Sequence, residues 1–517
     1  MSIDDGQIFF ALLIAALFAW VAGSLVAKKY AEKVLVLMNR GLAPVEQPAS
    51  PEIAMATSAV RVSRQIETFD LARQNRLARW LLYLAFTFIS VVLAGFIAYV
   101  AQAIYVEDGF SWRRFILLTW VYAWPAVPSI GLLERWPRWK IVILSLAYMI
   151  LAGLLVRLNS GDQQNWADFS FWLFGQQMPL LVFVFFMTGA KLRAVAPYLL
   201  TVFFLLTMAS LLSLNVLAML IEDEADWLID WVSATNAYVV FILFSIVPWL
   251  IAIYPVRWLA GRVAQAYRSK YFSEPLYLIT GLWTIALIFQ AMVLSHQVGS
   301  AAYGILSAWA VIPVGMLLMN VSLRPRHQPP SLLLLRVFRS DDEIGVLFDS
   351  VLERWRFSGN TLMIAGSDLA LRTLEPDELF AFLNGRLRDR FINSGEQLNE
   401  SIRDPDLQAD PDGRYRINKF YCFDHTWKTV LATLVGQSAC VVMDLRGYTP
   451  NRQGCTHELT VLSAQAHLHK MILLFDRKTD KQTADRLLSD CATKIVWIDS
   501  EMHGKKLEGE VLTTLLS

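Results

Sequence analysis

At 517 residues, 55% of them hydrophobic and only 18% charged, the chain departs from soluble globular proteins, which are about half apolar and about a quarter charged. The net charge of +1 hides an uneven distribution and gives no indication of a nucleic-acid partner. The positive mean hydropathy of +0.42 is concentrated in residues 7–320, and from about residue 328 the composition is that of a soluble domain.

The first apolar run, "IFFALLIAALFAWVAGSLVA", has no basic segment before it and is followed by "KKYAEK". That pattern predicts a retained first span and not a cleaved signal. About nine spans are predicted from runs near 20 apolar residues: 8–27, 80–103, 115–133, 141–157, 170–189, 196–219, 236–256, 276–295 and 302–322, making 1–327 a transmembrane domain. Lysine and arginine mark cytoplasmic loops. With the N-terminus outside, they fall in 28–79, 134–140, 190–195, 257–275 and at Arg324 and Arg326, opposite the acidic "IEDEADWLID". Arg113 and Arg114 alone break the pattern. The reading is a multi-pass inner (cytoplasmic) membrane protein whose C-terminal domain lies in the cytoplasm. The bilayer is thus the first partner. The stretch "AEKVLVLMNRG" is amphipathic, and the basic stretches "RVSRQIETFDLARQNRLARW" and "RWLAGRVAQAYRSKYF" have helical periodicity and are expected at or near the inner membrane surface. Ionisable residues, the usual pointer to transport, are nearly missing from the spans.

After "RPRHQPP" the pattern changes. Strands are predicted at 331–338, 360–366, 440–445, in "KMILLFD" and in "TKIVWID", with "YRINKFYCF" a strand or an edge. Between them lie the predicted helices "DDEIGVLFDSVLERWR", 375–392, "HTWKTVLATLVGQ", "HELTVLSAQAH", "DKQTADRLLSDC" and "LEGEVLTTLL". The polar "NSGEQLNESIRDPDLQADPDG" is expected to be an exposed loop. Apolar strands alternating with helices define an α/β domain, residues 328–517, with a mostly parallel sheet.

In such sheets ligands bind beyond the carboxyl ends of the strands. The polar residues there are Arg339, Ser340 and Asp341; Gly366, Ser367 and Asp368; Asp444, Arg446 and Gly447; and Asp476 and Arg477. Individually each suits a cap or turn. Together, arginines and acids at one sheet edge suit a nucleotide-like ligand carrying phosphate and ribose hydroxyls. No P-loop and no GxGxxG occurs. His457, His467, His469 and Cys455 lack zinc-site spacing, so no metal is expected. The four cysteines contain no CxxC and read as free thiols of a reducing compartment.

The segment "CVVMDLRGYTPNRQGCTHELTVL" reads as strand, loop and helix. The run of Cys455, Thr456, His457, Glu458 and Leu459, with the strand order, resembles the TIR (Toll/interleukin-1 receptor) domain family, although Gly454 stands where the family has tryptophan. The resemblance implies a flavodoxin-like fold of five strands, self-association or a neighbouring membrane protein as partner, and, in bacteria, roles in signalling and defence. In its enzymatic members the matching glutamate serves hydrolysis of NAD at the nicotinamide–ribose bond. It thereby implies that Glu458 is catalytic and that NAD is a substrate, with no prosthetic group. The residues themselves leave a second possibility, a carboxylate on the first helical turn that only complements the helix dipole. Three functions follow: a membrane-anchored effector with a TIR-like domain, a non-enzymatic assembly module of a membrane complex, or a transporter or channel with a regulatory domain.

Overall fold

The computed structural model describes residues 5–39, 71–105, 109–160, 181–188, 193, 196–222, 226–323, 325, 329–335, 342–365, 376–383, 385–392, 408–423, 426–489, 491–502 and 505–517. The chain forms two compact units, one made of Met1–Lys29, Tyr83–Met319 and Thr373–Asn384, the other of Tyr30–Leu82, Asn320–Arg372 and Gly385–Ser517.

In the first unit, and in the continuations of its helices, eight helices among the described residues are long and apolar enough to cross a membrane. They match eight of the nine predicted spans. The other, 170–189, falls largely outside the described residues, although 181–187 are helical. The third span is two helices, Trp112–Tyr122 and Ala126–Leu133, separated at Pro125, whose missing N–H cannot continue the ladder. Trp124, Phe183, Leu200, Leu278 and Leu282 are buried in the central cluster of this unit. Small residues allow close helix approach: a Cβ placed on Gly315 would meet Ile89 Cδ1 at 2.7 Å. Helix Ala237–Arg268 is the opposite case, with only 6% of its most apolar window buried.

Within the described residues, the amphipathic and basic stretches are continuations of membrane-length helices and not separate helices. "AEKVLVLMN" continues the first span inside one helix, Asp5–Asn39. Likewise "LARQNRLARW" opens helix Leu71–Tyr105. Tyr30, Val34, Leu37 and Asn75 are buried, within the second unit. Their apolar faces are covered by protein, and amphipathicity records only that some cover exists. "RWLAGRVAQAYR" is likewise the end of Ala237–Arg268.

The second unit holds a seven-stranded parallel sheet in the order β3-β4-β2-β1-β5-β6-β7. The strands are β1 Ser331–Leu335, β2 Asn360–Ala365, β3 Phe391–Ile392, β4 Ile417–Cys422, β5 Cys440–Asp444, β6 Lys470–Phe475 and β7 Lys494–Asp499. Its helices are α1 Asp342–Trp355, α2 Trp427–Gln437, α3 Gln453–Ser463, α4 Lys481–Leu487 and α5 Lys505–Leu516. One face packs Leu333, Val441, Met443 and Leu473 against Val430 and Leu434 of α2, Leu459 and Leu462 of α3 and Ala484 of α4. The other packs Leu334, Val442 and Ile472 against Phe348 and Val351 of α1 and Val511 of α5. Burial on both faces explains the unbroken apolar strands.

Three expectations fail here. The sheet has seven strands where the resemblance implies five. The helix predicted over 375–392 ends early: Pro376–Leu383 is helical, Leu387–Arg390 is a 3-10 turn and Phe391–Ile392 is β3. The end of the expected exposed loop is also buried. Asp410 and Asp412 are fully covered, and so is Arg414. Arg414 pairs with Asp412 and Glu353, both at 3.1 Å. Arg416 pairs with Asp410 at 2.8 Å, and Arg356 with Glu353 at 3.1 Å. Three carboxylates and three guanidinium groups neutralise one another, which is how such charges tolerate burial.

Candidate functional site at the carboxyl end of strand β5

The chain leaves β1 toward β2 on one side, while β5 flanks it on the other. This reversal of strand order is where an open α/β sheet leaves a crevice beyond its strand ends. Arg339, Ser340, Asp341 and Ser367, with Gly366 and Asp368, lie outside the described residues. The described wall comes from β5, the loop after it and α3.

Asp444 ends β5 and is buried. Its Oδ1 accepts the backbone N–H of Arg446 at 3.1 Å and Nε at 3.0 Å, while Oδ2 accepts from Nη2 at 3.2 Å. The acid therefore fixes the fork of Arg446. Gly447 follows with φ +61, a conformation that favours glycine. Its N–H donates to Asp476 Oδ1 at 2.8 Å. Burial pushes Asp476 upward, but the Gly447 N–H, the Thr479 hydroxyl and the Lys478 N–H outweigh it and hold the carboxyl below its ordinary range. Thr479 Oγ1 donates to the Leu445 carbonyl at 3.0 Å, and the Asp480 N–H to the Tyr448 carbonyl at 2.9 Å. Tyr448 is fully buried, its hydroxyl 3.1 Å from Thr456 Oγ1. The loop between β5 and α3 is thus braced by the loop after β6.

Helix α3 starts at Gln453 and has no acid in its first turn. Glu458, expected there, is in the second turn. It is buried beside Leu459 and Leu462, and no described residue forms a hydrogen bond or ion pair with it. Burial raises its carboxyl to about 7, opposite to the ionisation that a helix start favours. Burial also pushes the Cys455 thiol up to about 11, with further upward contributions from Glu458 and Asp444 against the downward pull of Arg452. Glu458, Asp444 and Arg452 are therefore each within electrostatic reach of Cys455.

The His457 ring stands edge-on to Trp427 at 5.5 Å, and burial followed by Lys428 lowers its pKa. At Cys455 burial and two acids outweigh Arg452, so the thiol stays protonated and lacks the net electropositive surroundings that make a thiolate nucleophile. No cluster of three or more His, Cys, Asp or Glu able to hold a metal occurs among the described residues. Arg477 is an exposed partner of Glu501 at 2.8 Å and stands apart from this group.

The sequence reading missed the bracing by Asp476 and Thr479, although Asp followed three residues later by Thr is a recognisable turn pattern. It also missed Trp427, which the chain separates from His457 by a strand. Comparisons of the chain with family models, with curated proteins and with solved structures find no match.

Proposed function

We propose that the chain is a membrane-anchored cytoplasmic effector whose α/β domain, TIR-like and flavodoxin-like, binds NAD and hydrolyses its nicotinamide–ribose bond. The observation that carries this reading is Glu458: a buried carboxyl, unpaired among the described residues, near the carboxyl end of β5. An ordinary structural acid is paired or exposed.

In the reaction the bond from ribose C1′ to the ring nitrogen breaks, and its electron pair leaves with nicotinamide. Water adds at C1′ and loses a proton, giving ADP-ribose. Positive charge develops on the ribose meanwhile. The ionised Glu458 orients the ribose hydroxyls and stabilises that charge. The fork of Arg446, held by Asp444, suits the pyrophosphate. The alternation of basic loops supports a cytoplasmic domain, where NAD is available, and a second copy or a neighbouring membrane protein is the expected partner.

The test is nicotinamide release from NAD by the full-length protein in detergent and after reconstitution at high density. Release is expected, with a loss of about 100-fold or more in Glu458→Gln. An inactive wild type in both settings, or a fully active variant, overturns the reading.

A further inference from the structure

Helix Ala237–Arg268 has 32 residues, about 48 Å at 1.5 Å per residue against a hydrocarbon core of about 30 Å. Starting from Ala237, the apolar part fills the core by about Val256, and the helix emerges at Arg257. Beyond that point its faces differ. Val256, Ala260, Val263 and Ala264 pack into the central cluster of their unit. Arg257, Arg262, Arg268, Tyr254 and Trp258 are exposed. At 100° per residue these five fall on one arc of about 140°.

The charge on this arc is uncompensated. The helix contains no Asp or Glu, and Arg257, Arg262 and Arg268 form no ion pair with any described residue. Glu378, on the packed helix Pro376–Leu383, is buried and engaged elsewhere. The Arg262 guanidinium lies 5.4 Å from the Trp258 ring centroid. The apolar stretch just before it is the least covered of the eight membrane-length helices among the described residues, which leaves its length open to lipid. The arginines are therefore presented at headgroup depth, where tryptophan and tyrosine also partition.

We propose that the arc of Arg257, Arg262 and Arg268, flanked by Tyr254 and Trp258, binds the headgroup phosphates of anionic phospholipids in the leaflet it faces. Guanidinium forks pair with phosphate in two-point geometry, and each basic residue near an anionic surface adds about a five-fold preference. The inference is independent of any activity of the α/β domain.

The experiment reconstitutes full-length protein in phosphatidylcholine nanodiscs containing a minority of phosphatidylglycerol and measures the lipids retained with the protein by mass spectrometry. Phosphatidylglycerol is expected above its bulk share, falling about five-fold per arginine removed and reaching the bulk share in R257Q/R262Q/R268Q. The triple lysine variant keeps most of the enrichment. If the triple glutamine variant does not assemble, R262Q and R268Q singly carry the same stepwise expectation. Wild type at the bulk share, or glutamine variants with undiminished enrichment, overturns the proposal. Displacement of the bound lipid by an equal amount of inorganic phosphate also overturns it, identifying a soluble-phosphate site.

Discussion

The hydroxyls of Tyr30 and Tyr421 share a hydrogen bond at 3.2 Å across a separation of 391 positions in the chain. Tyr30 lies on the helix that begins as the first membrane span. Tyr421 lies on β4, its ring 5.3 Å from that of Phe391 on β3. The α/β unit therefore incorporates the far ends of two helices that are long and apolar enough to cross a membrane, Asp5–Asn39 and Leu71–Tyr105.

The second of these helices provides a test. Asn75 donates to the Arg354 carbonyl at 2.6 Å and to Ser358 Oγ at 2.8 Å. Asn75→Ala removes the amide donor from the buried Ser358 hydroxyl and from the Arg354 carbonyl, which keeps the Phe357 N–H at 3.4 Å, and is expected to destabilise the α/β unit by about 1–3 kcal/mol. Tyr30→Phe removes the bond to Tyr421 and costs about 1 kcal/mol or more. Tryptophan fluorescence during urea denaturation of the full-length protein measures both, because Trp355 is buried in this unit.

Glu458 carries a pH signature with two parts. In the proposed reaction the ionised form is the working one, so nicotinamide release is expected to rise with pH and level off above about 7, well above the ordinary 4.5. The stability effect runs the other way. The folded-state pKa exceeds the ordinary 4.5, so the folded protein holds this proton more tightly than the unfolded chain does. Stability is therefore lost as pH rises from 4.5 to about 7. Glu458→Gln is expected to melt above wild type at pH 8 and close to it at pH 4.5, measured by paired thermal scans.

The buried charge cluster gives a larger effect. Arg414→Met takes the guanidinium away from Asp412 and from one oxygen of Glu353, and breaking a buried pair costs about 3–5 kcal/mol. Comparing its urea midpoint with wild type and with the exposed control Arg477→Met isolates the buried contribution. Arg477→Met stays within about 1 kcal/mol of wild type.

Two glycines are expected to respond in opposite directions. Gly413 has φ +79, and a Cβ there would lie 2.7 Å from the backbone oxygen of Leu323. Gly413→Ala destabilises by about 1–3 kcal/mol. Gly509 sits within helix α5 with open space around it, so Gly509→Ala stabilises by roughly 0.5–1 kcal/mol. The same denaturation series reads both.

The strands "SLLLL", "CVVMD" and "KMILLF" were legible because a parallel strand covered on both faces leaves an unbroken apolar run. With two residues, β3 is too short to carry any period, which let the preceding helix be read through it. At Asp410 and Asp412 composition suggests exposure, because charge is read as solvation until its partners are known. Those partners, Arg416 and Arg414, follow in the chain, and only Glu353, which completes the cluster, comes from a distant helix. At the candidate site Asp444 and Arg446 were found where a strand ends in polar residues. Glu458 was found too, but its turn was misassigned because α3 opens at Gln453, ahead of the motif that drew attention to it. The support from Asp476 is a contact between two neighbouring loops and leaves no trace at either position alone.

That support has a thermodynamic consequence. The Asp476–Gly447 and Asp480–Tyr448 hydrogen bonds order the β5–α3 loop as part of folding itself. A ligand arriving at this wall has no backbone to immobilise, so the configurational entropy that usually opposes loop-mediated binding has already been spent. Association there is governed by diffusion and desolvation, and disrupting either brace would weaken binding mainly through entropy, with the contacting side chains unchanged.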